Sequence, residues 1–294
     1  MQTALPERNG FLDTSSAVIG TRHRDHSFGS KPLGRIGTLE VRLACDAAEI
    51  AAAQEIRYRI FYEELGAGRG SLKTAKRDAD RFDDICDHLL VFDTALTGPA
   101  HHQIVGTYRL LRQERALVSG GFYSDEEFEL KALITRHPGR RFLELGRSCV
   151  LPAYRSKRTI EVLWQGIWAY VNHYDIGVMA GCASFQGTVP AAHAEALSYL
   201  AHHCRTSSLW DVRAVAGRYS SMDLMPAEAV SPKSAILAMP PLIKAYLRIG
   251  ARVGDGCVID ADFGTVDVFV VLPVNDIGAR YINYYGGESQ SFAA

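Results

Sequence analysis

The chain has 294 residues, enough for one large domain or two small ones with a sizeable core. With 47% hydrophobic and 22% charged residues, its composition is that of a globular protein and excludes disordered, fibrous and membrane-spanning classes. The 32 basic and 33 acidic residues leave a net charge of -1, so no general attraction to nucleic acid follows and none is expected as a partner.

The six cysteines are scattered, without a CxxC pair or tight metal-ligand spacing, which fits a reduced, cytoplasmic setting. The N-terminus lacks the pattern of a signal peptide, and no apolar run reaches the ~20 residues of a membrane span. Residues 1–37 contain only 11 apolar residues without period and read as a disordered leader. Residues 38–290 are expected to form one α/β domain.

Order is predicted from Thr38, where TLEVRLA alternates like a half-buried strand. Asp46 can cap a helix carrying Ile50, Ile56, Ile60 and Phe61 toward one side, with Gly66 placed to stop it. HLLVFD (88–93) and IVGTYRLL (104–111) read as an antiparallel hairpin. In YSDEEFEL, Ser124 and Glu127 have capping-box spacing. FLELGRSCVL (142–151) reads as a strand whose interior Gly146 suggests a bulge or a close backbone approach. A helix over 159–173 and an apolar strand over 176–185 follow, then a helix opening near Pro190. The C-terminal part adds a helix at PPLIKAYLRIG and the strands CVID and VDVFVVLP. Helices alternating with strands of both kinds imply a mixed sheet flanked by helices.

Charge is segregated along the chain. Between Lys131 and Arg158, eight basic residues face the single acid Glu144, a local net of +7. Between Asp78 and Asp93, six aspartates face Arg81, a local net of -5. Two solvated faces would account for this, but Arg155, Lys157 and Arg158 fall where a strand gives way to a helix start, a position that already favours anions.

FLELGRSCVLPAYRSKRTIEVLW resembles the core of the GNAT-type N-acyltransferases, whose fold is a central, mixed, mostly antiparallel sheet flanked by helices. Where coenzyme-A-using members keep glycines in the loop before the helix, this chain has Ser156, Arg158 and Ile160. Backbone without those glycines wraps poorly around a pyrophosphate, whereas side-chain cations suit the single phosphate of a phosphopantetheine arm and an acidic carrier protein. The fuller likeness is to the ornithine-acyl carrier protein N-acyltransferases, and more distantly to acyl-homoserine-lactone synthases. It rests on RYRIF with Arg57 and Phe61, on Asp80, Asp83 and Asp84 leading into HLLV, on GTYRLL with Arg109, and on ELGRSCV with Glu144 and Arg147. GRYSSMDLMP, PPLIKAYLRIGA and RYINYYG extend it to Gly286, while EELGAGRG lacks the Trp usual in the lactone synthases.

The resemblance implies transfer of a (3-hydroxy)acyl chain from acyl carrier protein to the α-amine of L-ornithine, giving lyso-ornithine lipid. The carrier's phosphopantetheine is then the donor, with no other cofactor. An amine attacking a thioester must first lose its proton, so a base is wanted. Glu144, the lone acid of the basic stretch, is the candidate, with burial beside Arg147 or Arg109 as the structural alternative. Amides freed near Gly146 are candidates for the thioester oxyanion. Arg147 is the candidate fork for the substrate carboxylate, with Arg109 beside it from the family motif, and Asp83 or Asp84 for the side-chain ammonium. Arg155, Lys157 and Arg158 are assigned to the phosphopantetheine and carrier protein. His101–His102 and His202–His203 are adjacent pairs that diverge on any regular element, so no metal site is expected. Cys149 and Cys182 read as inert core thiols. Lys244, Arg248 and their apolar neighbours leave room for peripheral contact with an anionic bilayer. Two alternatives stay open: synthesis of a homoserine-lactone-type signal, and a noncatalytic module that binds carrier protein or membrane.

Overall fold

Strand alternation distributes the side chains of this chain over two faces of one sheet. The computed structural model describes residues 28–68, 75–278 and 280–281. Strand β1 (Gly34–Ile36) turns at Gly37, with φ of +63°, into β2 (Leu39–Leu43). Phe28 and Leu33 are buried, and Leu33 N–H donates to Val41 O at 2.7 Å. Residues 28–37 of the expected leader therefore carry structure, in pieces too short to show a period. Residues 1–27 lie outside the described residues.

Helix α1 (Ala47–Tyr58) starts as predicted at Asp46, whose carboxylate accepts the Glu49 N–H at 2.9 Å, and widens into a π turn over Arg59–Glu64. Its buried side includes Ala53, Ile56 and Ile60, and also Glu49 and Arg57. Strand β3 (Asp87–Asp93) and β4 (Ile104–Arg112) form the expected antiparallel hairpin. Helix α2 (Gln113–Val118) and α3 (Leu130–Arg136) lead to β5 (Phe142–Val150). Helix α4 (Lys157–His173), capped by Ser156 Oγ accepting from Thr159 N–H, crosses over to β6 (Val178–Gln186), which lies parallel to β5. A crossover of this length is what a parallel pair requires. Helices α5 (Ala194–His203), α6 (Pro232–Ala238) and α7 (Pro241–Arg248) precede the hairpin of β7 (Arg252–Asp260) and β8 (Thr265–Pro273).

The eight strands follow the order β1-β2-β3-β4-β5-β6-β8-β7, and every neighbouring pair except β5 and β6 is antiparallel. This is the mixed, mostly antiparallel sheet expected from the sequence. One face is closed by α4, whose Val162, Ile167 and Val171 bury against Val41, Leu89 and Leu143. The other is covered at one end by α1 over Leu90 and Phe92, and at the other by α3 over Phe142 and Phe269. Alternate residues share a face, so Arg109, Glu144, Cys182 and Asp267 lie on this second face, beside Leu111, Phe142, Ala180 and Phe269.

Candidate active site

The cleft follows from how briefly β5 and β6 pair. Their register runs only through Phe142–Val178, Leu143–Met179 and Glu144–Ala180. Beyond Glu144 the strands part, and a cavity of about 230 Å³ opens between their diverging halves. Its wall includes Gly146, Arg147 and Ser148 from β5, Cys182 and Ser184 from β6, and Arg109 from β4.

The bulge expected at Gly146 falls one residue later. Arg109 pairs with Gly146 and Thr107 with Cys149, so Arg147 and Ser148 together oppose Tyr108. Arg147 takes φ of +51°, a left-handed conformation uncommon for a side chain of this size. That twist turns its guanidinium onto the cleft face, where it stands over the rings of Tyr123 and Phe263 at 4.6 and 4.3 Å.

Arg147 belongs to a closed ring of charge. Arg57 donates Nε to Asp78 at 2.9 Å, and Nη1 and Nη2 to Asp83 at 2.8 and 2.9 Å. Arg147 donates to Asp78 at 3.1 Å and to Asp80 at 3.3 Å. Arg109 donates to Asp80 at 2.7 Å and to Asp83 at 3.4 Å, so three arginines alternate with three aspartates. Arg57 is fully buried and Arg109 is 3% exposed. Burial opposes the charge on Asp83, but its guanidinium partners prevail and hold the carboxyl well below the usual range. Arg147 is held charged by Tyr123, Asp78 and Asp80 against its burial. Much of the charge segregation seen in the sequence is thus internal pairing.

The ring redefines several candidates. Asp83 is consumed by Arg57 and by the Asp80 N–H, at 3.0 Å, and it is absent from the wall of the Glu144 cavity. Asp84 is exposed and lines a second cavity of about 360 Å³ with Gln54 and Arg115. Neither aspartate therefore lines the cavity beside Glu144. Arg109 and Arg147 do line the cleft.

Glu144 is 5% exposed, and its oxygens accept the N–H groups of Tyr123 and Ser124 at 2.8 and 2.9 Å. It forms no ion pair with Arg109 or Arg147 among the described residues, which differs from the structural alternative raised above. Burial pushes its carboxyl up, against the pull of those amides and of Arg109. Ser124 consequently caps no helix with Glu127. The segment is a short 3-10 turn (Tyr123–Glu126) in which Asp125 accepts the Phe122 N–H at 2.8 Å.

Arg155, Lys157 and Arg158 stand at the start of α4, beyond the open end of β5. Arg155 is clamped by Glu64 at 2.6 and 2.7 Å, and Lys157 pairs with Glu161 at 3.2 Å with 87% of its side chain exposed. Arg158 is exposed. Cys149 is buried with its thiol pushed up to about 12 by desolvation. Cys182 is on the cleft wall rather than in the core, its thiol raised by burial and donating to Glu127 at 3.3 Å. Neither thiol is a ready nucleophile.

Sequence reasoning passed over three carboxylates. Glu127, Asp260 and Asp267 are all buried, with oxygens within 4.8 Å of one another, and Asp260 and Asp267 line the cleft. Desolvation and the charge of Asp267 raise Glu127 to about 7. Asp267 is pushed up by burial. The available signal was a lone charge inside the apolar strand TVDVFVVLP.

The acetyltransferase (GNAT) domain model matches residues 56–165. The L-ornithine N(alpha)-acyltransferase of Brucella abortus (strain 2308) is 60% identical over 261 residues, covering 88% of this chain and 93% of that protein. The protein of the same name from Rhizobium meliloti (strain 1021) is 54% identical over 295 residues, covering 100% of this chain and 99% of that protein. Among solved structures, an N-acyl amino acid synthase from uncultured soil microbes matches with a TM-score of 0.45 at 12% identity, covering 81% of this chain and 92% of that one. At the identity and coverage of the two named relatives, this chain belongs to the L-ornithine N(alpha)-acyltransferase family of N-acyltransferases.

Proposed function

We propose that this chain transfers a 3-hydroxyacyl group from the phosphopantetheine thioester of acyl carrier protein to the α-amine of L-ornithine, forming lyso-ornithine lipid. The observation that carries the reading is the cleft between β5 and β6, where a buried carboxylate, Glu144, shares one wall with Arg109, Arg147 and the bulge. The relatives' name supplies the acceptor.

In this reading the thioester lies between the parted strands, with its carbonyl toward the amides of the bulge. Glu144, directly or through a water, removes a proton from the α-ammonium, and a carboxyl raised by burial suits that task near neutral pH. The amine attacks, the C–N bond forms, the amides at Gly146 and Arg147 hold the oxyanion, and the C–S bond breaks as the carrier thiol recovers a proton. Arg147 meets the acceptor carboxylate by charge rather than as an open fork, since Asp78 and Asp80 already take its Nε and Nη2. Lys157 and Arg158 meet the carrier protein at the cleft mouth. Arg155 contributes less, since Glu64 already occupies its fork.

No helix among the described residues is long and apolar enough to cross a membrane. We place the enzyme in the cytoplasm. Contact with the inner membrane face would run through Ile236 and Leu237 of α6, which are 44% and 79% exposed, rather than through α7, whose Ile243 and Tyr246 are buried in the core.

The test offers the purified chain 3-hydroxyacyl-carrier protein with L-ornithine, with other amino acids, or with S-adenosylmethionine, and identifies the product by mass. N(α)-acylornithine with release of carrier thiol is expected. A lactone product, or thioester binding without thiol release, would replace this reading with the signal-synthase or noncatalytic alternative.

A further inference from the structure

We infer that Asp260 and Asp267, with the hydroxyl of Thr265, form a subsite that binds the side-chain ammonium of a dibasic amino acid while its α-amine reacts. This rests on the ornithine reading above and assigns residues to it that the family motifs do not include.

Asp267 is 5% exposed and Thr265 is 8% exposed, and both line the cleft. Asp267 Oδ1 and Thr265 Oγ1 are buried and make no well-formed hydrogen bond among the described residues, although the Ser184 and Thr265 hydroxyls stand near enough to Asp267 to favour its charge. Buried polar atoms are nearly always paired, so a carboxylate oxygen and a hydroxyl left without a well-formed bond beside one cavity point to a donor from outside the protein. The neighbouring oxygens are occupied: Asp260 Oδ1 accepts the N–H groups of Asp262 and Phe263 at 2.8 and 2.9 Å, and Glu127 pairs with Arg218 at 3.1 Å.

Geometry and charge favour an ammonium. Acceptors placed around a tetrahedral –NH3⁺ at ~2.8 Å stand about 4.6 Å apart, and Asp260 and Asp267 offer oxygens within 4.8 Å of each other. One positive charge also suits a corner in which Arg218 has already compensated Glu127. Ca²⁺ or Mg²⁺ would want six or more oxygen ligands, whereas the same cavity carries Phe263 and Leu242, which suit a methylene chain. The ammonium must be the distal one. An amine set among carboxylates is held protonated and cannot attack a thioester, so this corner is unsuited to the reacting α-amine.

The test compares kcat/KM for L-ornithine and for L-norvaline, which has ornithine's carbon skeleton without the terminal amine, in the wild type and in Asp267→Asn. The wild type should prefer ornithine by on the order of 10- to 100-fold, the range for a charged hydrogen bond. Asp267→Asn should lose most of that preference with norvaline within about twofold of its wild-type rate. Equal loss on both substrates, or an unchanged ratio, overturns the subsite. If Asp267→Asn does not fold, Thr265→Val decides, with a several-fold fall in the ratio supporting the subsite and no change opposing it. Loss of wild-type activity on chelation, restored by Mg²⁺ or Ca²⁺, makes the corner a metal site and also overturns it. A wild type that acylates ornithine but shows no preference refutes the subsite alone, whereas one that acylates neither amino acid refutes the ornithine reading itself.

Discussion

Glu144 and Asp83 are both buried carboxylates reached by motif residues, yet their partners set them to different tasks. Glu144 is held by two backbone amides and raised by burial, while Asp83 is forked by Arg57 and lowered. Glu144→Gln should therefore fold and lose about 10²- to 10⁴-fold in turnover, the usual range for a proton-transfer group. Because the base must be ionised, wild-type kcat/KM should rise with pH along a limb above the ordinary carboxylate range, and the variant should lack that limb. A pH profile that keeps its shape in the variant would remove the base assignment. Asp83→Asn, in contrast, leaves the fully buried Arg57 with a single carboxylate, a change that costs about 3–5 kcal/mol when one partner of a buried pair is removed. Urea unfolding should show that loss, and the surviving enzyme should keep its ratio of ornithine to norvaline turnover. A changed ratio with unchanged stability would restore Asp83 to the acceptor subsite. The sequence made these residues conspicuous without disclosing their work, because Arg57, Asp78, Arg109 and Arg147 meet only after α1, the acidic connection, β4 and β5 have packed together.

Elements with a strong period were legible from the sequence: the β3–β4 hairpin, the Asp46-capped α1, α4, and the strands β6 and β8. What periodicity could not reveal was position within the sheet, or how far two strands stay paired. Gly146 marked the β5 irregularity, but register with β4 moved the left-handed residue to Arg147. Gly166 illustrates the same point in α4. In a helix interior Ala normally exceeds Gly by ~1 kcal/mol, so sequence alone marks Gly166→Ala as stabilising. A Cβ at Gly166 would lie 2.9 Å from both γ-carbons of Val41 and 3.2 Å from Leu89. Overpacking of this kind costs typically 1–3 kcal/mol, so the crossover helix would be pushed off β2 and β3. Gly166→Ala should lower the urea midpoint, with a net loss of about 1 kcal/mol. A raised midpoint would mean that α4 seats more loosely than its contacts indicate.

At the scale of the molecule, the parted strands put two kinds of charge on opposite sides of one cleft. The carboxylate corner of Asp260 and Asp267 lies on the β8–β7 side, while β5 leads outward to the start of α4 with Lys157 and Arg158. The basic cluster was legible as a stretch of sequence, but which of its members remain available was not, because Glu64 reaches Arg155 from the far end of α1. Neutralising Lys157 and Arg158 together should therefore separate carrier recognition from chemistry. At exposed sites each charge is worth ~0.2–1 kcal/mol, so the KM for acyl carrier protein should rise roughly 2- to 30-fold. Turnover of a short acyl-pantetheine lacking the phosphate should stay within about twofold, since it presents neither the phosphate nor the acidic carrier surface to these cations. The wild type's carrier KM should also rise with salt beyond ~0.15 M, where charges more than ~8 Å apart are screened. Arg155→Gln alone should act differently, untying Glu64 at the end of α1's extension from the start of α4 and lowering stability more than carrier affinity. Equal effects of the double neutralisation on both donors would assign the cluster to the solvated surface and leave the carrier protein to be read from another face.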